Sequence, residues 1–213
     1  MQNKRDILTM LKEAGILFAI TLIAGVLLGF VYELTKEPIA EQRRLKVQRA
    51  CAEVFETANS FEEKQVDANS LLTMEAQQLM DNLASNGVVI GTVYTAVSTD
   101  GKALGYVIKT TTKKGFGGPI ELMLGVSMDG TVNGISILSI SETPGLGMNA
   151  EDDLAPQFAG KNVEGFIYTK TGAVADNEVD VISGATVTTK AITSAVNGAI
   201  EYFNVFLQEG GNE

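Results

Sequence analysis

The sequence predicts an α+β domain, an antiparallel sheet covered by helices, preceded by one N-terminal transmembrane helix. Three observations lead to this fold class. Positions 14–32 are uncharged, Asp-Gly dipeptides at 100–101 and 129–130 each join two β-branched runs, and an amphipathic helical pattern covers 191–207. With 213 residues the chain exceeds one typical domain and falls short of two. One folded domain with an appendage is therefore expected.

The uncharged run predicts a membrane helix. Its 19 residues would extend about 28 Å as a helix, close to a hydrocarbon core of about 30 Å. We expect an uncleaved anchor rather than a signal peptide, because the run exceeds a signal core and no small-x-small cleavage site follows Tyr32. Residues 1–13 are assigned as the cytoplasmic N-terminus and 14–35 as the transmembrane helix. Basic residues flank both ends, so their count does not set the orientation.

Residues 36–86 are predicted to form a stalk and a helical connection. Pro38 is compatible with the first turn of a new helix, where its missing N–H costs nothing. Apolar residues then recur at near-helical spacing as far as Phe55. The acidic and polar stretch 57–70 predicts a loop, and residues 71–83 predict another short helix.

Residues 87–208 are predicted to form the folded domain, and 209–213 a polar tail. Asp-Gly between β-branched runs is a strong hairpin signal, so two hairpins are expected. Their four antiparallel strands cover 88–97, 104–108, 120–128 and 132–140. A looser region with a short helix around 152–158 follows. The apolar stripe of the last helix is expected to pack on the sheet.

Composition excludes several classes of chemistry. The formal net charge is −10, and residues 47–213 carry −12 of charge against a slightly basic N-terminus, which disfavours binding to nucleic acid. There is no His and one Cys, which excludes a Ser-His-Asp hydrolase, a His-ligated metal and a Cys-ligated iron–sulfur cluster. Redox work would need an organic cofactor. Cys51 lies in a helical pattern and is expected to pack as a small apolar residue.

Three glycine-containing segments interrupt the predicted elements. They are Gly-Phe-Gly-Gly-Pro at 115–119, Glu-Thr-Pro-Gly-Leu-Gly at 142–147, and the hydroxyl-rich stretch at 180–188. None of them matches a Walker loop or a dinucleotide fingerprint. The third segment runs into the last helix, whose N-terminal N–H groups favour a phosphate. The alternative is that Ser183 or Thr186 simply caps that helix.

The third segment resembles the flavinylation motif of the FMN-binding domain family. The resemblance lies in Asp180 followed by Ser-Gly-Ala-Thr at 183–186. In that family the threonine that closes the run is joined to the phosphate of FMN by a phosphoester bond, which implies Thr186 as the acceptor here. The other two segments resemble the family's two other signatures, in the same order. The whole chain is similar to the G subunits of Rnf ion-translocating electron transport complexes, relatives of the C subunits of sodium-translocating NADH:quinone reductases.

The resemblance implies a cofactor-binding role for each of the following residues, with no catalytic residue and no metal ligand. Thr186 would carry covalent FMN; Ser183, Gly184, Ala185 and Thr188 would hold the turn and donate to phosphate; Asp180 would serve a flavin transferase or bind the turn; Glu142, Thr143, Gly145 and Leu146 would line the flavin ring; Gly117 and Gly118 would allow close backbone approach.

The resemblance also implies a function. It indicates an electron-carrier subunit of a membrane-bound ferredoxin:NAD oxidoreductase that couples electron transfer to sodium or proton translocation, without complete turnover on its own. The expected partners are the other membrane subunits, a flavin transferase and membrane lipid, and no nucleic acid. The flavin domain is expected on the extracytoplasmic side of a bacterial or archaeal cytoplasmic membrane. Alternatives are a C-type subunit of the quinone reductase, an unmodified membrane-anchored scaffold, and a free-standing flavoenzyme.

Overall fold

The structure, a computed structural model, describes residues 2–65 and 73–208, with side chains from residue 9 onward. The predicted tail at 209–213 lies outside the described residues. The chain divides into two units, Met1–Lys46 and Val47–Glu213.

The N-terminal unit belongs to a single long helix, α1 (Gln2–Val54). Among the described residues, one helix is long and apolar enough to cross a membrane, with a mean hydropathy of 2.6 and none of its apolar window buried. This agrees with the prediction of one N-terminal transmembrane helix. The prediction that Pro38 opens a new helix is wrong, because Pro38 lies inside α1. A proline removes one helical hydrogen bond, and here the helix continues on both sides of it.

The second unit contains the antiparallel sheet that the sequence predicts. Its five strands have the order β1-β2-β3-β4-β5. They are β1 (Ser60–Lys64), β2 (Val88–Val97), β3 (Ala103–Thr112), β4 (Ile120–Ser127) and β5 (Val132–Ser139). Strands β2 to β5 confirm the two predicted hairpins.

Strand β1 corrects the prediction of a loop over 57–70. It pairs with β2 in a register that runs from Ser60 opposite Val97 to Lys64 opposite Val93. Its sequence, Ser-Phe-Glu-Glu-Lys, is charged because it forms an edge of the sheet, where charged side chains prevent pairing with other chains. The same charges give it the composition of a loop.

Helices α2 (Met74–Ser85) and α4 (Thr186–Phe206) contribute to the core on one face of the sheet. The Thr73 hydroxyl caps α2 by accepting the Ala76 N–H at 3.2 Å. Helix α2 confirms the helix predicted over 71–83 for the part that is described, since residues 71 and 72 lie outside the described residues. Helix α4 buries the apolar stripe that the sequence predicts along it.

The last turns of α1 pack on the opposite face of the sheet. The buried residues of this second core cluster are Ala50, Cys51, Val54, Phe55, Ala96, Val107, Met123 and Leu138. The Ser136 hydroxyl donates to the Glu53 carboxylate at 2.5 Å. Cys51 is 1% exposed and packs as the apolar residue predicted from its sequence context. This burial raises the pKa of the Cys51 thiol to about 12.

Two glycines leave room for the end of α1. A Cβ on Gly125 would lie 2.7 Å from the Val54 carbonyl oxygen and 2.8 Å from the Val54 Cβ. A Cβ on Gly105 would lie 2.6 Å from Cζ of Phe55. The end of the helix can approach the sheet this closely only because both strands have a glycine, which lacks a Cβ, at these positions.

The region between β5 and α4 contains short elements. A 3-10 turn (Gly147–Asn149), α3 (Ala150–Asp153) and a second 3-10 turn (Ala155–Phe158) follow one another, in agreement with the short helix predicted around 152–158. Strands β6 (Ile167–Thr169) and β7 (Glu178–Asp180) then pair in parallel. At three residues each they are too short to be recognised from periodicity.

We expect Gly125→Ala to destabilise the second unit, because the new Cβ would clash with backbone as well as side-chain atoms of Val54. Overpacking of this kind costs about 1–3 kcal/mol of unfolding free energy. Urea denaturation of the full chain in detergent measures it. Gly91→Ala is the matched control, since its Cβ would meet the nearest atom at an ordinary 3.4 Å. Equal unfolding free energies for the two variants would contradict close packing of Val54 against Gly125.

Candidate functional site

The three glycine segments meet at one cavity of about 360 Å³. Phe116 comes from the first segment, and residues 184–188 come from the third. The second segment supplies Glu142, Thr143, Leu146 and Gly147 to the wall. Segments separated by as many as 72 positions in the sequence, from 116 to 188, therefore form a single site.

Glu142 connects the three segments at the bottom of this site. Its side chain is buried, with 7% of the residue exposed. One carboxylate oxygen, Oε1, accepts the Gly117 N–H at 3.3 Å, and the other, Oε2, accepts the Thr188 hydroxyl at 3.0 Å. A buried carboxylate is stable only with such partners, so Glu142 fixes the first and third segments relative to the second.

Glycines permit the close contacts around Glu142. A Cβ on Gly147 would lie 2.6 Å from the Thr188 Oγ1 and 2.7 Å from the Glu142 Cβ. Gly184 has a φ of +75°, and a Cβ there would lie 2.9 Å from Cδ2 of Leu146. Any larger residue at these positions would separate the second segment from the third.

Helix α4 begins at the cavity without a polar capping side chain on its N-cap residue. The N-cap is Ala185, which offers no acceptor to the N–H groups of the first turn. Capping by Ser183 or Thr186, the alternative considered from sequence, is therefore not what this structure has. Thr186 is the first residue of α4, is partly exposed, and lines the cavity.

The turn before α4 is held from inside the helix. The Thr189 hydroxyl donates to the Ala185 carbonyl at 3.1 Å and accepts the Ile182 N–H at the same distance. The Ala185 N–H donates to the Ile182 carbonyl at 2.9 Å. The segment that leads into Thr186 is thereby fixed, and the helix dipole is directed at the cavity.

Not every residue named from sequence lines the cavity. Those that do are Glu142, Thr143, Leu146, Gly184, Ala185, Thr186 and Thr188. Ser183 and Asp180 lie outside its lining, and Gly117 contributes its N–H to Glu142 instead. Gly145 and Gly118, with φ of +75° and +152°, provide backbone conformations that other residues rarely adopt.

Sequence reasoning did not single out three of the lining residues. Phe116 and Val187 are exposed apolar residues, at 72% and 51% of their surface, and Gly147 provides the close contact with Thr188. All three lie inside the three glycine segments, and Val187 directly follows Thr186. An aromatic residue within a glycine-rich turn was the available signal for Phe116.

A second cavity of about 330 Å³ lies between α2, α4 and β6 and contains no residue predicted for the site. Lys190, one turn after Thr186 on α4, lines it. Lys161 donates to the Glu178 carbonyl at 3.0 Å, and its ammonium group lies over the Phe166 ring. Lys161 is thus engaged away from the first cavity.

We expect Glu142→Ala to loosen the site, since it leaves the Gly117 N–H and the Thr188 hydroxyl without their buried acceptor. The unfolding free energy should fall by about 1–3 kcal/mol, and amide hydrogen exchange at 115–119 should accelerate. Glu151→Ala removes an exposed carboxylate and should change neither quantity. Unchanged exchange at 115–119 in Glu142→Ala would show that Glu142 does not hold the segments together.

Comparison with known proteins identifies both parts of the chain. The FMN-binding domain family matches residues 115–201, a range that contains all residues lining the first cavity. A family described as the RnfG N-terminal region matches residues 1–54, which corresponds to α1. The two matches therefore cover the helix and the site separately.

Individual relatives match nearly the whole chain. The G subunit of a sodium-translocating ferredoxin:NAD(+) oxidoreductase complex from Acetobacterium woodii is 31% identical, over 90% of each chain. The G subunit of a proton-translocating ferredoxin:NAD(+) oxidoreductase complex from Clostridium ljungdahlii is 30% identical, over 92% of this chain and 96% of that one. The crystal structure of Shewanella oneidensis NqrC is similar with a TM-score of 0.47 and 24% identity, covering 55% of this chain and 59% of that one.

Identity of this extent, together with the two family matches and the cavity formed by the three glycine segments, shows that the chain belongs to the family of G subunits of Rnf-type ion-translocating oxidoreductase complexes.

Proposed function

We propose that this chain is the electron-carrier subunit of a membrane-bound ferredoxin:NAD oxidoreductase that couples electron transfer to sodium or proton translocation, with FMN joined through its phosphate to Thr186. The observation that carries this proposal is the position of Thr186, the first residue of α4, in the cavity where the three glycine segments meet. The relatives support both ions, since one is named sodium-translocating and the other proton-translocating.

The residues at the start of α4 suit a phosphate. Ala185 leaves the N–H groups of the first turn without a capping side chain, and such groups bind phosphate oxygens at the positive end of the helix dipole. Attachment would replace the Thr186 Oγ–H bond by an Oγ–P bond. Because a phosphate ester needs an activated donor, we expect the transferase to use FAD, in which the FMN phosphate is part of an anhydride, and to release AMP.

The apolar side chains around the cavity suit a flat aromatic ring. Phe116, Leu146 and Val187 are exposed and line the cavity, and Gly184 carries no Cβ that would clash with Leu146. Burial of such surfaces against an aromatic ring is favourable. When bound, the isoalloxazine ring supplies one-electron and two-electron chemistry. The side chains of this protein do not supply it, because the chain has no His and its one Cys is buried.

The subunit is expected to act with others, because the relatives are named as subunits of oxidoreductase complexes. We propose that the donor and the acceptor of its electrons are the remaining membrane subunits of such a complex. The apolar part of helix α1, none of which is buried, would lie in membrane lipid. A flavin transferase would mature the protein.

We expect the protein produced with its flavin transferase to gain the mass of FMN minus water on the peptide that contains Thr186. Thr186→Ala should abolish the gain, because no hydroxyl remains to esterify, and Thr186→Ser should retain it. Thr99→Ala, in the exposed turn between β2 and β3, is the control. Intact mass, peptide mapping and the visible absorption of denatured protein measure the three variants. A colourless, unmodified wild-type protein would instead favour a scaffold role.

We expect the folded domain to lie on the extracytoplasmic side of the membrane. The single native thiol allows a direct test, because Cys51 is buried and its pKa is raised to about 12. Asp100→Cys, in the exposed turn between β2 and β3, should react with a membrane-impermeant maleimide in intact cells or spheroplasts, while the wild type stays unlabelled. Labelling of Asp100→Cys only after lysis would place the domain inside.

A further inference from the structure

The carboxylate of Asp180 does not line the cavity that contains Thr186. It accepts the backbone N–H of Ala173 at 2.7 Å. Ala173 lies in the loop that joins β6 to β7, seven positions earlier in the chain. The side chain of Asp180 therefore holds a neighbouring loop.

The backbone of Asp180 is held by a residue to which neither the sequence motif nor the family match gives a role. Oε1 of Gln157 accepts the Asp180 N–H at 2.6 Å. Nε2 of Gln157 donates to the Asp180 carbonyl at 3.4 Å and to the Asp153 carbonyl at 2.7 Å. One amide side chain thus binds both backbone groups of Asp180 and ties them to the helical turns after β5.

The next two residues are also held through their N–H groups. Val181 donates to the Thr169 carbonyl at 2.9 Å, and Ile182 donates to the Thr189 hydroxyl at 3.1 Å. Three consecutive N–H groups are therefore bound by Gln157, by β6 and by α4. Thr186 follows this anchored stretch by four positions.

A second carboxylate holds the same loop. Glu178 accepts the N–H groups of Val174 at 2.8 Å and Ala175 at 3.1 Å, and these two bonds lower the pKa of Glu178. Asp180 and Glu178 together fix residues 173–175 against β7. Because β6 leads into this loop, a mobile loop would weaken the hydrogen bond between Val181 and β6. The backbone that precedes Thr186 would then be held less firmly.

We propose that Gln157 and Asp180 are positioning residues for flavin attachment at Thr186, and that Asp180 acts as a hydrogen-bond acceptor for the loop rather than as a charge that the transferase recognises. This inference rests on the proposed function. Gln157 would set the position of the anchored stretch, and Asp180 would keep the loop and β6 in the register that the stretch requires.

Two substitutions of Asp180 distinguish a role as hydrogen-bond acceptor from a role as a charge that the transferase recognises. Asp180→Asn removes the charge and keeps an oxygen that can accept the Ala173 N–H. Asp180→Ala removes both. If Asp180 acts as a hydrogen-bond acceptor, Asp180→Asn should incorporate flavin at close to the wild-type rate and Asp180→Ala should be slower. If its charge is recognised, both variants should be slower.

The experiment follows flavin incorporation by intact mass, with purified unmodified full-length protein in detergent, FAD and a limiting amount of transferase. We expect Asp180→Ala and Gln157→Ala to be modified about tenfold more slowly than wild type, as expected for the loss of a charge-assisted or doubly bonded contact. Asp180→Asn should be within about twofold of wild type. Asp176→Asn and Gln78→Ala, both exposed, are the controls and should match wild type.

A second measurement is independent of modification. Hydrogen exchange of residues 171–177 in the unmodified protein should be slow in wild type and Asp180→Asn, and faster in Asp180→Ala. Equal impairment of Asp180→Asn and Asp180→Ala, or wild-type incorporation in Gln157→Ala, would overturn the inference. Failure of wild type itself to incorporate flavin would contradict the proposed function, which keeps the two failures distinct.

Discussion

The buried carboxylate of Glu142 is the constraint on which the rest of the site depends. A charge removed from water is stable only when hydrogen bonds replace its hydration, and here the replacement comes from two different glycine segments, through Gly117 and Thr188. Satisfying that one group therefore brings together parts of the chain that are distant in sequence. The glycine at 147 then allows the segments to approach until Glu142 and Thr188 are in contact.

Local chemistry predicted the elements whose partners are close in sequence. The Asp-Gly hairpins and the long apolar helix were recognisable because their signals lie within a few turns or one helix length. Strand β1 was not, since it is charged and pairs with residues of β2 that lie 29 to 37 positions later, as Phe61 opposite Ala96 illustrates. Pro38 was misread because a proline inside a helix and one at its start have the same local sequence.

The site divides in the same way. Thr186 was predicted because its motif is contiguous, and the structure places it in the cavity. The hydrogen bonds by which Glu142 and Gln157 hold the site were not predictable. Glu142 bonds residues 25 and 46 positions away, and Gln157 bonds Asp180, 23 positions away. Asp180 belongs to the contiguous motif, and its side chain nevertheless points to the loop before β7. A sequence motif therefore does not distinguish residues that contact a ligand from residues that support the backbone beside it.

The central claim, a flavin held through a phosphodiester, is tested most directly by phosphorus NMR of the mature protein as a function of pH. A phosphate monoester has a second ionisation at about pH 6, and its phosphorus resonance moves as the pH crosses that value. A phosphate esterified on both sides has no such ionisation. We predict a single protein-bound resonance whose position is constant between about pH 5 and pH 8. A resonance that titrates at about pH 6 would show a phosphate monoester, as in FMN that is not attached, and would contradict attachment at Thr186.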